Sequence, residues 1–163
     1  YWSSDVCSSY LSRIVEPLVE LRKDGVRAVG KALGLPAALF ARPPFPGPAL
    51  AARVIGEATP ARIETVRQAT AVLDRFLAAV PAFQYMAILH ADRVTGMRAG
   101  QRDFGLQIEV RCWDSVDARV AQPTNLPFEL LTAMARALTT EVAGVVSVTY
   151  NIAAKPPSTI EAV

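Results

Sequence analysis

With 163 residues, 52% hydrophobic and 20% charged, the chain can bury one core, or one core and a small part of another, and it is not a disordered tail. A formal net charge of +2, with no dense Lys/Arg stripe among aromatics, disfavours nucleic acid, and Arg53, Arg75 and Pro81 break the apolar runs well short of the roughly 20 residues a bilayer crossing needs. Two cysteines, Cys7 and Cys112, and one histidine, His90, make neither a disulfide framework nor a structural zinc site, which fits a soluble protein of the reducing cytoplasm.

Residues 1–11 have no helical or strand periodicity and no basic start or apolar stretch of a secretory signal. They resemble a translated sequencing adaptor, which would leave Trp2 and Cys7 without meaning; the alternative is a flexible N-terminus. After Asp24, Val26, Val29 and Leu33 recur at helical spacing, and Gly34 with Pro36 supplies the stop of a short helix. Arg42 to Pro48 holds four prolines and a glycine in seven residues, a composition no helix or central strand tolerates, and reads as a shaped loop or linker. Thr59 as N-cap and Pro60 as first helical residue open an amphipathic helix of about five to six turns. Its Ile63, Val66, Thr70, Leu73 and Leu77 share a face until Pro81.

The second half changes period. Tyr85 to Leu89 predicts a short strand, followed by a connection with Gly96 and Gly100 that reads as a functional loop rather than a tight hairpin. Phe104, Leu106, Ile108, Val110 and Cys112 then alternate with Gly105, Gln107, Glu109, Arg111 and Trp113, the two-residue repeat of a strand with one face on a core and the other wet or at an interface. A helix is expected from about Pro127 to Val142, with Phe128, Leu131, Leu138 and Val142 inward and Gly144 as its stop. Val146, Val148, Tyr150 and Ile152 predict a last strand ending at Ala154. This order gives an α+β fold, a small mainly antiparallel sheet covered on one face by helices, with the other face free to pair with a second copy.

No nucleophile–base set and no Walker-type phosphate loop is present. His90 ends a strand with no Cys or second His nearby, which favours a structural or surface role, and Cys112 falls on the apolar side of its strand as a small buried hydrophobe. Glu109 and Arg111 sit two apart on one face; such a pair can form a site and is more often solvated or at an interface. Two proline-stiffened segments stand out: Arg42 to Leu50, followed by Arg53, Gly56 and Glu57, and Lys155 to Glu161. In the second, Lys155 with Ser158 and Thr159 suits a phosphate, the ammonium as a point charge and the hydroxyls as donors; a disordered end is the alternative.

Five ordered blocks carry a resemblance. They are Glu16-Pro17-Leu18 with Lys23-Asp24-Gly25-Val26-Arg27, Leu33-Gly34-Leu35-Pro36, Pro44-Phe45-Pro46-Gly47-Pro48, Leu126-Pro127-Phe128-Glu129-Leu130-Leu131, and Lys155-Pro156-Pro157-Ser158-Thr159-Ile160-Glu161. In order and spacing they resemble GMP synthetases, over nearly everything after residue 11. The resemblance implies that 12–41 is the end of an ATP pyrophosphatase domain, 42–56 a mobile lid, and 57–163 the C-terminal dimerisation domain. It further implies a ligase that uses ATP and magnesium to adenylate an oxygen of XMP, after which ammonia displaces AMP to give GMP. Lys155, Thr159, Ile160, Glu161 and Arg102 would bind XMP, with Arg102 serving the substrate site at the dimer interface. Arg42, Pro44, Phe45, Pro46, Gly47 and Pro48 would form the lid. The implied partners are a second copy, the ATP domain, and a glutaminase domain or subunit. Without the ATP domain the fragment would bind no cofactor, hold no catalytic residue or metal, and be inactive alone.

The chain departs from the family pattern at Gly100, where an Asp is usual, and at Gln101, where a Gly is usual. Arg119-Val120-Ala121-Gln122 stands for Met-Thr-Ala-Asp, Ala162-Val163 for Trp-Glu, Pro43 for His or Gln, and Ala49 for Gly. Two function classes follow: the substrate-binding and dimerisation part of an XMP-aminating ligase, or the dimerisation module of a divergent ATP pyrophosphatase paralogue with another substrate or none.

Overall fold

The computed structural model describes residues 15–40 and 48–162. Contacts divide the chain into two compact units, 1–42 and 43–163. The leader at 1–11 and the lid residues Arg42, Pro44, Phe45, Pro46 and Gly47 lie outside the described residues.

In the first unit, α1 (Lys23–Ala32) is followed by the short α2 (Ala37–Phe40). The helix stops where the sequence places it: Gly34 adopts φ 71°, and its N–H donates to the Lys31 carbonyl at 3.0 Å. A Cβ on Gly30 would lie 3.0 Å from Phe40 Cβ, so α2 packs closely against α1 at a position without a side chain.

The second unit begins with a 3-10 turn, Pro48–Arg53, and continues through α3 (Pro60–Leu77), β1 (Gln84–Arg98), β2 (Gln101–Asp114), β3 (Gln122–Pro123), α4 (Phe128–Glu141) and β4 (Val145–Tyr150). Thr59 caps α3, its Oγ1 accepting from the Arg62 N–H at 3.4 Å. Strand β2 is the spine of the sheet: β1 runs antiparallel along one edge, while β4, parallel, and β3, antiparallel, share the other. Val54 adds an isolated parallel bridge to Leu89 and is buried, which anchors the end of the 3-10 turn in this unit.

The connection expected between Leu89 and Phe104 is not a loop. Strand β1 continues to Arg98 and turns into β2 through Ala99 and Gly100 alone, at φ 50° and 78°. Two positive φ values in a two-residue turn match the right-handed twist of a hairpin, and glycine is the residue that adopts the second without strain. The distal half was illegible because Asp92, Arg93, Thr95 and Arg98 offer no apolar alternation; most of it is exposed. Val146 lies across this ribbon, and a Cβ on Gly96 would fall 2.6 Å from its Cβ while one on Gly105 would meet its methyl groups. The close approach therefore requires both glycines.

Helices α3 and α4 cover one face. Val66, Leu73 and Leu77 from α3, Met134 and Leu138 from α4, and Ala87, Leu89, Ile108, Val110 and Cys112 from the sheet form the larger core. Cys112 is buried as expected, but Phe128, expected inward, is 74% exposed because it is the first residue of α4. Ile152 is also exposed, two residues past the end of β4. Among the described residues no helix is long and apolar enough to cross a membrane.

Candidate functional site

The face of the sheet turned away from the helices is not left open. Lys155 forms an antiparallel bridge with Ala121, its N–H donating to the Ala121 carbonyl at 2.8 Å and its carbonyl accepting from the Ala121 N–H at 3.1 Å. The Ser158 N–H returns to the Ala154 carbonyl at 3.0 Å, and Thr159 Oγ1 donates to the Glu161 carbonyl at 2.7 Å. These bonds turn the segment back onto the sheet. Ile160 is then buried, completing a second cluster with Met86, Ile88, Trp113 and Ala121. The C-terminal segment is thus a folded loop and not a disordered end.

A polar network holds the loop down. Glu109, His90 and Asn151 come together from β2, β1 and the residue after β4. The carboxylate accepts from Arg111 Nε at 2.6 Å, His90 Nε2 at 2.8 Å and Asn151 Nδ2 at 3.0 Å. Arg111 Nη1 reaches past the sheet to the carbonyls of Thr159 at 2.9 Å and Glu161 at 2.6 Å, with that of Ile160 at 3.4 Å. Burial pushes the Glu109 carboxyl up, but the hydrogen bonds from Arg111, Asn151 and His90, together with the Arg111 charge, outweigh it and hold the group below the ordinary carboxylate range. The pair expected to be solvated or at an interface is buried, with only 11% of the Arg111 and 10% of the Glu109 side chain exposed. Its partners on the chain are 19 and 42 residues from Glu109, beyond the reach of any local pattern.

Of the residues that the resemblance singles out, Lys155, Thr159, Ile160 and Glu161 are brought together in this loop: Lys155 is half-buried, Thr159 and Glu161 are exposed, and Ile160 serves the core. Arg102 is elsewhere. It pairs with Met97 beside the hairpin turn, while the Ala121–Lys155 bridge lies next to Gln122, which pairs with Asp114 at the opposite end of β2. Roughly 40 Å of strand separates the two ends. Of the named lid residues Pro48 is described and opens the 3-10 turn.

Two residues are not singled out by sequence pattern. Gln84 and Trp113 are register partners at the loop's end of the hairpin, and both are buried. Gln84 Nε2 and Trp113 Nε1 find no acceptor among the described residues. Trp113 belongs to the face expected to be wet; its place one repeat past Arg111 on the same side of β2 is the signal that ties it to the loop. No group of three or more His, Cys, Asp or Glu side chains is placed to hold a metal among the described residues. An apolar groove of 230 Å³ between Phe128, Leu131, Met134, Val148 and Tyr150 lies beside α4, smaller than ordinary ligand sites and lined by none of the expected binding residues.

A mixed sheet backed by two helices, with its other face closed by the chain's own lysine-bearing C-terminal loop, defines an α+β domain with one built polar face. The model of the GMP synthase C terminal domain matches residues 63–162, and the chain belongs to that family. It is 41% identical over 152 residues to a subunit of glutamine-hydrolyzing GMP synthase from Methanothermobacter thermautotrophicus, covering 91% of this chain and 49% of that protein. The equivalent protein of Pyrococcus furiosus is 42% identical over 151 residues, with 91% and 48% covered. The glutamine-hydrolyzing GMP synthase of Aeropyrum pernix is 42% identical over 153 residues, with 91% and 30% covered. The chain thus spans about half the length of the first two relatives and a smaller share of the third.

Proposed function

We propose that this chain is the C-terminal, XMP-binding and dimerisation part of a GMP synthetase-like ligase of the cytoplasm. The reaction is ATP, XMP and ammonia or glutamine to GMP, AMP and pyrophosphate, and the upstream ATP pyrophosphatase domain completes the enzyme. Adenylation converts a poor leaving oxygen of XMP into a good one, so the protein's work is to position reactants and stabilise developing charge. ATP and magnesium belong to the upstream domain and its lid, Arg42 to Gly56, and ammonia comes from a glutaminase domain or subunit. This chain's residues bind and orient XMP.

The observation that carries the reading is the C-terminal loop, folded onto the sheet with Lys155 at its head. The Lys155 ammonium supplies charge for the XMP phosphate, and Thr159 and Glu161 remain exposed, the Thr159 hydroxyl as an acceptor while its proton goes to the Glu161 carbonyl. Arg102 lies about 30 Å of strand from Arg111, which holds the loop, and reaches such a site only on another copy. That separation supports a homodimer in which each hairpin serves its neighbour's loop. Light scattering of the chain is expected to give a dimer, and a monomer at high concentration would count against it.

A second reading, a dimerisation module of a divergent ATP pyrophosphatase paralogue with another substrate or none, draws on Gly100 and Gln122, which replace carboxylates, and on Ala162. Calorimetry separates the two, since XMP binding by the protein carrying its upstream sequence, abolished in Lys155→Ala, sinks the second reading; resequencing upstream of Ser12 tests the first. A Ser-Gly-Gly-x-Asp-Ser type of pyrophosphate loop there supports the ligase, and an upstream sequence without one sinks it.

A further inference from the structure

The network around Glu109 does more than fill a polar gap. Glu109 and Arg111 are two residues apart on β2, so both side chains leave the strand on the face that the C-terminal loop covers. A guanidinium has five donors in a rigid fork, and fixing one of them fixes the plane of the rest. Glu109 Oε1 takes Arg111 Nε at 2.6 Å, and this leaves Nη1 aimed at the carbonyls of Thr159 and Glu161, 2.9 and 2.6 Å away. The carboxylate is itself fixed from β1 by His90 and from the end of β4 by Asn151. One carboxylate therefore joins three strands of the sheet to the path of the loop backbone.

We propose that Glu109 and Arg111, braced by His90 and Asn151, are positioning residues for the C-terminal loop, setting the backbone of Thr159 to Glu161 and so the placement of the exposed side chains beside Lys155. This rests on the reading of that loop as the XMP-binding segment. The clamp acts through backbone carbonyls, alongside the Thr159 hydroxyl that also bonds the Glu161 carbonyl. It also requires the fork itself: a lysine at 111 keeps the charge but offers no donor held in plane by Glu109.

Hydrogen exchange of the 163-residue chain, read residue by residue, tests the clamp, with XMP titration of the same variants in the protein carrying its upstream sequence. Arg111→Lys is expected to speed exchange of the Ser158 amide and its loop neighbours by about tenfold or more, with amides of Ile108 and Val110 unchanged, and to weaken XMP binding by about tenfold. His90→Ala removes one of the three donors to Glu109 from β1, off the segment that leads into the loop, and is the milder variant should Arg111→Lys not fold; it is expected to loosen the loop about twofold to fivefold. Equal acceleration in loop and core, or an unchanged loop, overturns the clamp. A loosened loop with unchanged XMP affinity overturns the positioning role. If wild-type protein binds no XMP while the variants still loosen the loop, the clamp stands and the substrate reading falls.

Discussion

The two faces of the sheet are closed by different physics. On the helix face, Leu73, Leu77, Ile108 and Leu138 are wholly buried by non-directional packing of two amphipathic helices. On the other face, a smaller apolar cluster around Trp113 and Ile160 is covered by the chain's own end, which one guanidinium pins through backbone carbonyls. Packing sets how stable the domain is. A directional clamp sets where a short loop runs.

Breaking the helix face is expected to have the largest effect on stability. Leu73→Ala leaves a cavity between α3 and the sheet and is expected to cost about 4 kcal/mol in denaturant unfolding, with the unfolding midpoint lowered and the XMP affinity of the folded protein unchanged. Glu109→Ala leaves the largely buried Arg111 guanidinium with only the loop carbonyls as partners and is expected to cost about 3 kcal/mol, and, unlike Leu73→Ala, to release the loop before the core.

The same carboxylate gives the polar face a pH signature. The Glu109 pKa is lowered by folding, so its contribution is complete above the ordinary carboxylate range and is lost as pH falls through the lower folded-state value. Unfolding measured from neutral pH into acid is expected to show this decline, and Glu109→Gln to flatten it; an equal slope in both proteins would remove Glu109 as its source. Thr59→Ala takes away only an N-cap whose bond is long, 3.4 Å, and is expected to cost about 0.5–1 kcal/mol without touching the loop. Smallest of all, Phe128→Ala at an exposed helix start is expected to change stability by less than about 0.5 kcal/mol.

The contrast between the faces also explains what the sequence revealed. Ile63, Val66, Leu73 and Leu77 recur at the helical period and Leu106 to Cys112 at the strand period because each set packs on one continuous apolar surface, so periodicity alone locates α3, β2 and the larger core. The distal half of β1 carries no such surface, and its polar residues hid a strand inside an apparent loop. Phe128 was misplaced because hydrophobicity at a helix's first turn says little about direction. The segment Lys155 to Glu161 stands out by its proline-stiffened composition, and family resemblance ties it to a substrate, whereas the clamp beneath it is not legible: Glu109 and Arg111 are adjacent in pattern, but His90, Asn151 and the loop carbonyls are joined to them only by the tertiary fold. Gln84 and Trp113 stayed hidden for the same reason, since their burial depends on a chain end folding back.

The most direct test of the C-terminal loop as a substrate loop is calorimetric titration of XMP into the protein carrying its upstream sequence, wild type beside Lys155→Ala. Saturable binding that weakens by about tenfold or more in the variant is the expected result, the scale of a lost charge-assisted contact. XMP affinity indifferent to Lys155→Ala, or no binding by a wild type whose ATP domain is intact, would contradict it.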